Sequence, residues 1–258
     1  MSSSPVLAKA PSSCCWSGVK HTGTPVGRVE ELGGMTTYIT EPSSSAQSTS
    51  GPKKVILFLP DVYGPLFVNN QLLQDYFATF GFIVVGPDYF FGNGVPNHPP
   101  GFDRQVWVEG ARQPAIDAFP AWLAAVKARY GTEETKYSAV GYCFGASFVM
   151  DLAASGDIEA GALAHPAFLD ESHFEKLNRP LLLSCAEDDF TFPLTSRRRA
   201  EDIMVANKSR YYFQVFAGVK HGFAIRGDPN VPRERWAKEE SARGIKEWFN
   251  WFSSGSPA

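Results

Sequence analysis

The residues of this chain best suited to chemistry lie in the segment Gly-Tyr-Cys-Phe-Gly at 141–145. Gly-x-Cys-x-Gly is a nucleophile-elbow pattern, a sharp turn from strand to helix, with cysteine where serine is usual. The nucleophile of such a turn has a strained backbone, and larger side chains at Gly141 and Gly145 would collide with the neighbouring helix and strand. The helix beginning at Phe144 directs its N–H groups at Cys143, which favours a thiolate. The pattern therefore predicts a nucleophilic cysteine.

A nucleophilic cysteine needs a base within hydrogen-bond distance and a third group that orients the base. His221 is the best candidate for the base, because it lies in a Gly-rich loop where a histidine has little to pack against. The alternative for His221 is an ordinary surface-loop histidine. For the orienting acid, Asp188 and Asp189 both qualify, since both follow a buried strand. The chain order nucleophile, acid, histidine is that of α/β-hydrolases and differs from that of chymotrypsin-like and subtilisin-like enzymes.

Strands and helices alternate around these three loops. Apolar runs predict strands at 35–40, 55–59, 82–85, 137–141, 161–164, 181–185 and 211–216. Helical spacing predicts helices at 69–80, 114–130, 144–154, 193–207 and 233–252, and residues 90–113 are predicted to be a long Gly/Pro-rich connection. This alternation predicts an α/β fold with a mostly parallel central sheet flanked by helices on both faces. Ligands of such sheets bind beyond the carboxyl ends of the strands, where Cys143, Asp189 and His221 are expected.

Length and composition narrow the function classes. The chain has 258 residues, of which 44% are hydrophobic and 20% charged, which favours a folded protein over a disordered one. We expect an extended N-terminal arm at 1–26 and a single domain at 27–258. The net charge of −3 offers no clustered basic excess for nucleic acid. No run of 18 apolar residues and no secretory signal is present, so we expect neither a membrane span nor export, and a cytoplasmic location.

The four cysteines do not suggest a disulfide framework or a metal site. Their spacing in a chain of this length is irregular. The adjacent Cys14 and Cys15, with His21, lack the second ligand pair that a structural zinc site needs. We therefore expect no metal and no cofactor.

Several segments resemble the dienelactone hydrolase family, and the likeness extends from about Gly27 to Phe252. They are Gly-Tyr-Cys-Phe-Gly-Ala (141–146), Asp-Asp-Phe-Thr-Phe-Pro (188–193), Lys-His-Gly-Phe (220–223), Leu-Pro-Asp-Val-Tyr-Gly (59–64) and Gly-Pro-Asp-Tyr (86–89). The opening Cys-Cys followed by Gly-x-Pro-x-Gly is similar to fungal-type members. The resemblance implies an α/β-hydrolase fold, Cys143 as nucleophile and His221 as base. It favours Asp189 over Asp188, because the family's acid stands four residues before a proline, here Pro193.

The resemblance also implies supporting roles near the nucleophile. Backbone N–H groups of Val62 and Phe144 would form the oxyanion hole. Asp61 stands where the family usually has a glutamate that helps to convert the thiol into its thiolate, and the shorter side chain changes the reach of the carboxylate.

The substrate pocket departs from the family pattern. Bacterial members carry an arginine after the strand that ends in Pro-Asp, but here the segment is Tyr-Phe-Phe-Gly-Asn at 89–93. A second family arginine follows the histidine, and Arg226 is close to that position, whereas Arg104 and Arg112 are more typical of surface residues. The residues predicted to contact substrate are Tyr89, Phe91, Trp107, Phe223 and Arg226. This aromatic set favours a bulkier aromatic or polyketide-like lactone over dienelactone itself, although the aromatic residues would serve equally well in a core.

The sequence thus predicts a cysteine-dependent hydrolase of lactones or activated esters, acting through a thioester as a monomer or homodimer on a small-molecule substrate. Two alternatives stay open. One is a catalytically silent member that binds a small molecule. The other is a redox-sensing thiol at Cys143, since an accessible thiolate is also oxidisable. Whether residues 93–112 form a lid is also open.

Overall fold

The computed structural model describes residues 4–11, 18–43 and 52–254. Within those ranges the strands are β1 (Val6–Ala8), β2 (Arg28–Leu32), β3 (Met35–Thr40), β4 (Lys54–Leu59), β5 (Phe82–Pro87), β6 (Lys136–Tyr142), β7 (Ala160–Ala164), β8 (Leu169–Asp170), β9 (Leu181–Asp188) and β10 (Tyr211–Lys220). The main sheet has the order β10-β9-β7-β6-β4-β5-β3-β2. Strands β4, β5, β6, β7, β9 and β10 pair in parallel, while β3 and β2 complete one edge antiparallel.

Helices cover both faces of this sheet. They are α1 (Val68–Ala78), α2 (Arg104–Tyr130), α3 (Ala146–Ser155), α4 (Glu171–Glu175), α5 (Leu194–Ala206), α6 (Phe223–Arg226) and α7 (Pro232–Ser253), with short 3₁₀ turns at Val95–Asn97 and Cys143–Gly145. Alternate residues of β4 explain the two layers. Leu57 and Leu59 belong to the core shared with α2, α3, α4 and α5, whereas Ile56 and Phe58 belong to the core under α1 and α7. Both faces of β4 are buried, which is why its sequence is a continuous apolar run. The predicted α/β fold with a mostly parallel sheet is confirmed.

Helix α2 is the main correction to the predicted elements. The sequence predicts a loop at 90–113 and a helix from Pro114, but the helix begins at Arg104 and continues through Pro114 and Pro120. Asp103 caps it, accepting hydrogen bonds from the N–H groups of Gln105 and Val106 at 3.1 and 3.0 Å. A proline inside a helix frees the carbonyl group four residues earlier. Here the residues that carry those carbonyl groups are exposed on the solvent side of α2, where water can bind them.

The N-terminal arm is fastened to the domain near the carboxyl edge of the sheet. β1 pairs antiparallel with β8. Beyond β1, the Lys9 N–H donates to the Thr191 carbonyl oxygen at 2.8 Å, and the Phe168 N–H donates to the Lys9 carbonyl oxygen at 3.1 Å. The pair Cys14-Cys15 lies outside the described residues. The predicted division at residue 26 stays a prediction.

Candidate active site

Cys143 sits in a strained turn between β6 and α3. Its φ is 50°, in the left-handed region that a non-glycine residue rarely adopts. The flanking glycines are necessary for this turn. A Cβ at Gly141 would lie 2.6 Å from the Gly145 carbonyl oxygen, and one at Gly145 would lie 2.6 Å from the Leu59 carbonyl carbon. Backbone atoms cannot move aside as a flexible side chain can, so the turn has the close-packed geometry of a nucleophile elbow.

His221 and Asp189 meet at the same edge of the sheet, each directly beyond the end of a strand. His221 Nδ1 lies 2.9 and 3.0 Å from the two carboxylate oxygens of Asp189, and both residues are 5% exposed. Burial opposes ionisation of this carboxyl group, but the neighbouring His221 and the hydrogen bonds from His221 and Thr191 lower the pKa of Asp189 to about 2. Asp188, the alternative acid, is exposed. The geometry therefore pairs the imidazole with the buried carboxylate of Asp189.

Thr191 extends this pair. Its hydroxyl oxygen lies 2.6 Å from Asp189 Oδ1, 2.8 Å from His221 Nδ1 and 3.0 Å from the Pro166 carbonyl oxygen. The backbone N–H groups of Thr191 and Phe192 donate to Asp189 Oδ1 at 2.9 and 3.2 Å. These contacts fix the carboxylate, and the carboxylate in turn fixes the face and tautomer that His221 presents.

The segment after β7, residues 165–168, contacts Cys143 and His221 of the candidate triad. The Ala167 N–H donates to the Cys143 carbonyl oxygen at 3.0 Å. The His165 ring lies edge-on to the His221 ring, with centroids 4.8 Å apart. His165 is fully buried, neither of its ring nitrogens has a hydrogen-bond partner in the described part of the chain, and its φ is 38°. Burial, together with the neighbouring His221, lowers the pKa of His165 well below its usual range, so this ring is neutral.

Asp61 and Arg226, assigned separate roles from the sequence, form a buried ion pair. Asp61 Oδ2 contacts Arg226 Nη1, and the two residues are 0% and 3% exposed. Asp61 Oδ1 also accepts hydrogen bonds from Asn70 Nδ2 at 3.0 Å and from the Tyr63 N–H at 3.2 Å. The guanidinium of Arg226 lies over the Tyr63 ring, 4.6 Å from its centroid. The two predicted roles, activation of the nucleophile by Asp61 and substrate binding by Arg226, therefore belong to two side chains of the same ion pair.

The other predicted pocket residues lie in different surroundings. Tyr89 is fully buried, donates its hydroxyl hydrogen to the Pro60 carbonyl oxygen, and stacks on Phe148. Phe223 is packed in the core under α7, against His165 and Phe216. This placement favours a packing role for these two rings over a substrate contact.

Of the two remaining aromatic residues, Phe91 is exposed and Trp107 is buried. Phe91 is 53% exposed with φ of 54°. Trp107 donates its indole N–H to the Asn93 carbonyl oxygen at 2.8 Å and packs on Phe90, which contacts Phe144. Residues 93–112 thus fold into a 3₁₀ turn and the start of α2, next to the nucleophile turn. Their action as a lid stays an open prediction.

The predicted oxyanion-hole residues are also buried near the nucleophile. Val62 begins the loop beyond β4, and Phe144 follows Cys143 directly. Their backbone N–H groups remain the predicted donors.

Within residues 4–11, 18–43 and 52–254 no group of three or more His, Cys, Asp or Glu residues is arranged to hold a metal ion. Over the same ranges, no helix has the length and apolar character needed to cross a membrane. Cys143 and Cys185 are both buried, and neither is in a disulfide.

Most of the chain matches a known protein family. The family model described as "Dienelactone hydrolase family" matches residues 35–253. This chain belongs to the dienelactone hydrolase family. It is 36% identical over 256 residues to "Dienlactone hydrolase 1" of Gibberella moniliformis, covering 96% of each chain. It is 27% identical over 250 residues to the mouse "Carboxymethylenebutenolidase homolog", covering 87% of this chain and 94% of the mouse protein.

A solved structure agrees with the family at the level of the fold. The crystal structure of a dienelactone hydrolase homologue from Klebsiella pneumoniae superimposes with a TM-score of 0.73 at 16% sequence identity, covering 88% of this chain and 99% of the Klebsiella chain. The predicted resemblance to the dienelactone hydrolase family, including its fungal members, is therefore confirmed. Membership of this family places the chain among the carboxylic ester hydrolases.

Sequence reasoning missed two residues at the candidate site of this family member. Thr191 stands inside the Asp-Asp-Phe-Thr-Phe-Pro motif, but its hydroxyl group is shared between Asp189 and His221 only because the loop folds back on itself. From the sequence, His165 is predicted only to follow the end of a strand. The available signal was the pair His165-Pro166 directly after an apolar run, since a polar residue at the carboxyl end of a parallel strand lies at the ligand-binding edge.

The close approach at Gly145 gives a first prediction. Gly145→Ala should lower the free energy of unfolding by about 3 kcal/mol, because the new methyl group would overlap the Leu59 carbonyl group. Gly110→Ala is the matched control, since a Cβ there meets nothing within 4 Å and Gly110 lies inside α2. That change should raise the free energy by about 0.5–1 kcal/mol. Urea unfolding measures both, and equal effects would contradict the proposed crowding.

The Asp189 carboxylate gives a second prediction. Its folded-state pKa of about 2 lies below the value of about 3.9 expected in the unfolded chain, so folding favours the ionised form. The resulting stabilisation, on the order of 2 kcal/mol, is fully present above about pH 5 and is lost as the pH falls from about 4 to about 2. The difference in unfolding free energy between wild type and Asp189→Asn should therefore shrink over that range. A difference that stays constant from pH 5 to pH 2 would show that the carboxylate is not stabilised in its ionised form.

Proposed function

We propose that this protein hydrolyses lactones or activated esters, using Cys143 as nucleophile, His221 as base and Asp189 as the orienting acid. The observation that carries this proposal is the buried Asp189–His221 pair at the sheet edge where the strained Cys143 turn also ends. Residues 165–168 bridge the two halves, since Ala167 binds the Cys143 carbonyl oxygen and Pro166 binds Thr191. A nucleophile, a base and an orienting acid are the parts that covalent acyl transfer requires.

In the proposed reaction the Cys143 thiolate attacks the carbonyl carbon and forms a tetrahedral oxyanion. The N–H groups of Val62 and Phe144 would stabilise that oxyanion, and in such holes one donor contributes about 10²–10³ in rate. The carbon–oxygen bond then breaks, an alkoxide or enolate leaves, and a thioester remains on Cys143. His221 removes a proton from a water molecule, which attacks the thioester and releases the carboxylate product. The leaving oxygen takes the proton that His221 first removed from the Cys143 thiol, and the departing sulfur takes the proton that His221 removes from water. The thiol is thereby regenerated, and water is the only other reactant.

The leaving group limits the substrate class. A thiolate is expelled from a tetrahedral intermediate more easily than an amide nitrogen, so esters and lactones with stabilised leaving groups fit this site better than peptides. The predicted contacts Phe91, which is exposed, and Trp107, which is buried against Phe90, favour an aromatic substrate. Because Arg226 is already paired with Asp61, a carboxylate on the substrate is not required for binding.

Replacement of the nucleophile is the direct test. Wild-type protein should hydrolyse p-nitrophenyl acetate, and Cys143→Ala should lower kcat/KM by at least about 10³-fold, because the acyl group has no sulfur to bind. Cys185→Ala is the control, since Cys185 is equally a buried thiol but lies within β9. Release of p-nitrophenolate measures the rates. Unchanged turnover by Cys143→Ala would exclude the mechanism, and saturable binding without turnover of any ester by wild type would favour a silent member.

The choice of acid is tested separately. Asp189→Asn should lower kcat by about 10²–10⁴-fold, because the amide cannot stabilise the imidazolium form of His221. Asp188→Asn should leave kcat close to the wild-type value, since that side chain is exposed and makes no hydrogen bond to His221 in the part of the chain described. The opposite ranking of the two variants, measured with the same ester, would assign the role to Asp188.

A further inference from the structure

We propose that a second cavity, between the N-terminal arm, α1 and α7, binds a small organic carboxylate with an aromatic or short aliphatic body. The cavity has a volume of about 380 Å³, which is within the range of small-molecule sites. Its lining is His21, Thr22, Leu72, Leu73, Tyr76, Pro229, Arg235, Lys238, Glu239 and Ala242. None of the proposed catalytic residues lines it, so this is a site apart from the catalytic one.

The charges around the cavity favour an anion. Lys238 is half-buried, and burial lowers the pKa of its ammonium group, with Glu239 acting in the opposite direction. The described residues place no carboxylate within 4 Å of the charged groups of Lys238 or Arg235. Burial lowers the pKa of His21, and Lys238 lowers it further while Asp228 acts in the opposite direction, so the ammonium group of Lys238 lies near the His21 ring. A poorly hydrated cation of this kind gains most from an anionic ligand.

The apolar part of the lining decides the class of anion. Leu72, Leu73 and Tyr76 of α1 and Ala242 of α7 present apolar surface to the same cavity. An inorganic phosphate would leave that surface in contact with water. A carboxylate attached to an aromatic ring would place its charge near Lys238 and Arg235 and bury its ring against α1, where apolar contact is favourable. Naphthoate is a probe of this shape and charge.

Hydrogen bonds connect the cavity to the loop that carries the proposed base. His21 Nε2 lies 2.8 Å from the Gly227 carbonyl oxygen, and the His21 N–H donates to Asn69 Oδ1 at 2.8 Å. Asn69 Nδ2 in turn donates to the Ile225 carbonyl oxygen at 2.9 Å. Ile225 and Gly227 flank Arg226. A ligand that contacts His21 therefore contacts one of the side chains whose hydrogen bonds hold the end of α6. This helix begins two residues after His221.

This connection gives the site a regulatory consequence that rests on the proposed function. Hydrolysis of a lactone or ester releases a carboxylate, so the product has the chemistry that the cavity favours. Occupancy of the cavity by a carboxylate should then change the turnover rate from outside the catalytic site.

Binding is tested first, in a variant without the nucleophile. Isothermal titration calorimetry of Cys143→Ala with 1-naphthoate should show saturable binding. Lys238→Met or Arg235→Gln, each introduced into the Cys143→Ala protein, should weaken the affinity for 1-naphthoate by at least about tenfold. Lys53→Met is the matched control, since Lys53 is exposed and does not line the cavity, and it should leave the affinity unchanged. The uncharged 1-naphthamide should bind at least about tenfold more weakly than the acid. Equal affinity of the parent, Lys238→Met and Arg235→Gln proteins for 1-naphthoate would overturn the proposal.

Turnover is tested second, in proteins that retain Cys143. 1-Naphthoate should change the kcat of wild type for p-nitrophenyl acetate, and Lys238→Met should abolish that effect while keeping the basal rate. Inhibition that persists unchanged in Lys238→Met would place the carboxylate in the catalytic site and contradict the regulatory link. If no ester is hydrolysed at all, the proposed function fails, but the calorimetric result still decides whether the cavity binds carboxylates.

Discussion

The contact on which the rest of the site depends is the approach of the turn at Gly145 to the backbone of β4. The Leu59 carbonyl group lies where a side chain at residue 145 would begin, and Leu59 also pairs in register with Gly141. The end of β4 thus packs against both glycines of the elbow. Their lack of side chains allows the positive φ of Cys143 between them. The same strand end continues into the loop of Asp61 and Val62. The candidate nucleophile, the candidate oxyanion donor Val62 and the buried Asp61–Arg226 pair therefore all adjoin this single backbone approach.

The other half of the site depends on residues 165–168. Among the residues that the structure describes, neither buried ring nitrogen of His165 has a hydrogen-bond partner. Each such unsatisfied group costs on the order of 1–3 kcal/mol, so the position of His165 needs a compensating reason. Its ring forms a rigid neutral wall against His221. The N-terminal arm holds the same region from outside, because Lys9 binds both Phe168 and Thr191 through its backbone. The imidazole is thereby confined between a carboxylate, a hydroxyl group and an uncharged ring.

The sequence predicts those features that neighbouring residues encode. The Gly-x-Cys-x-Gly turn is local, and apolar runs of the right length are sufficient to predict the parallel strands and hence one edge for Cys143, Asp189 and His221. Features that depend on distant parts of the chain were not predictable. The ion pair between Asp61 and Arg226 joins positions far apart in the sequence. The predicted start of α2 at Pro114 is wrong because the cost of a proline inside a helix depends on whether the freed carbonyl group faces water, which only the packed structure decides.

The buried ion pair also bears on which substrates the proposed site would accept. Removing one partner of such a pair leaves a charge without compensation in a poorly hydrated environment, at a cost of about 3–5 kcal/mol. A substrate carboxylate that drew Arg226 away would leave Asp61 with only its contacts to Asn70 and Tyr63. On the proposed function, an uncharged aromatic lactone would avoid that loss, because the pair would stay intact when it binds. On the proposed function, burial of the pair would therefore favour neutral substrates over the anionic ones that an exposed arginine would select.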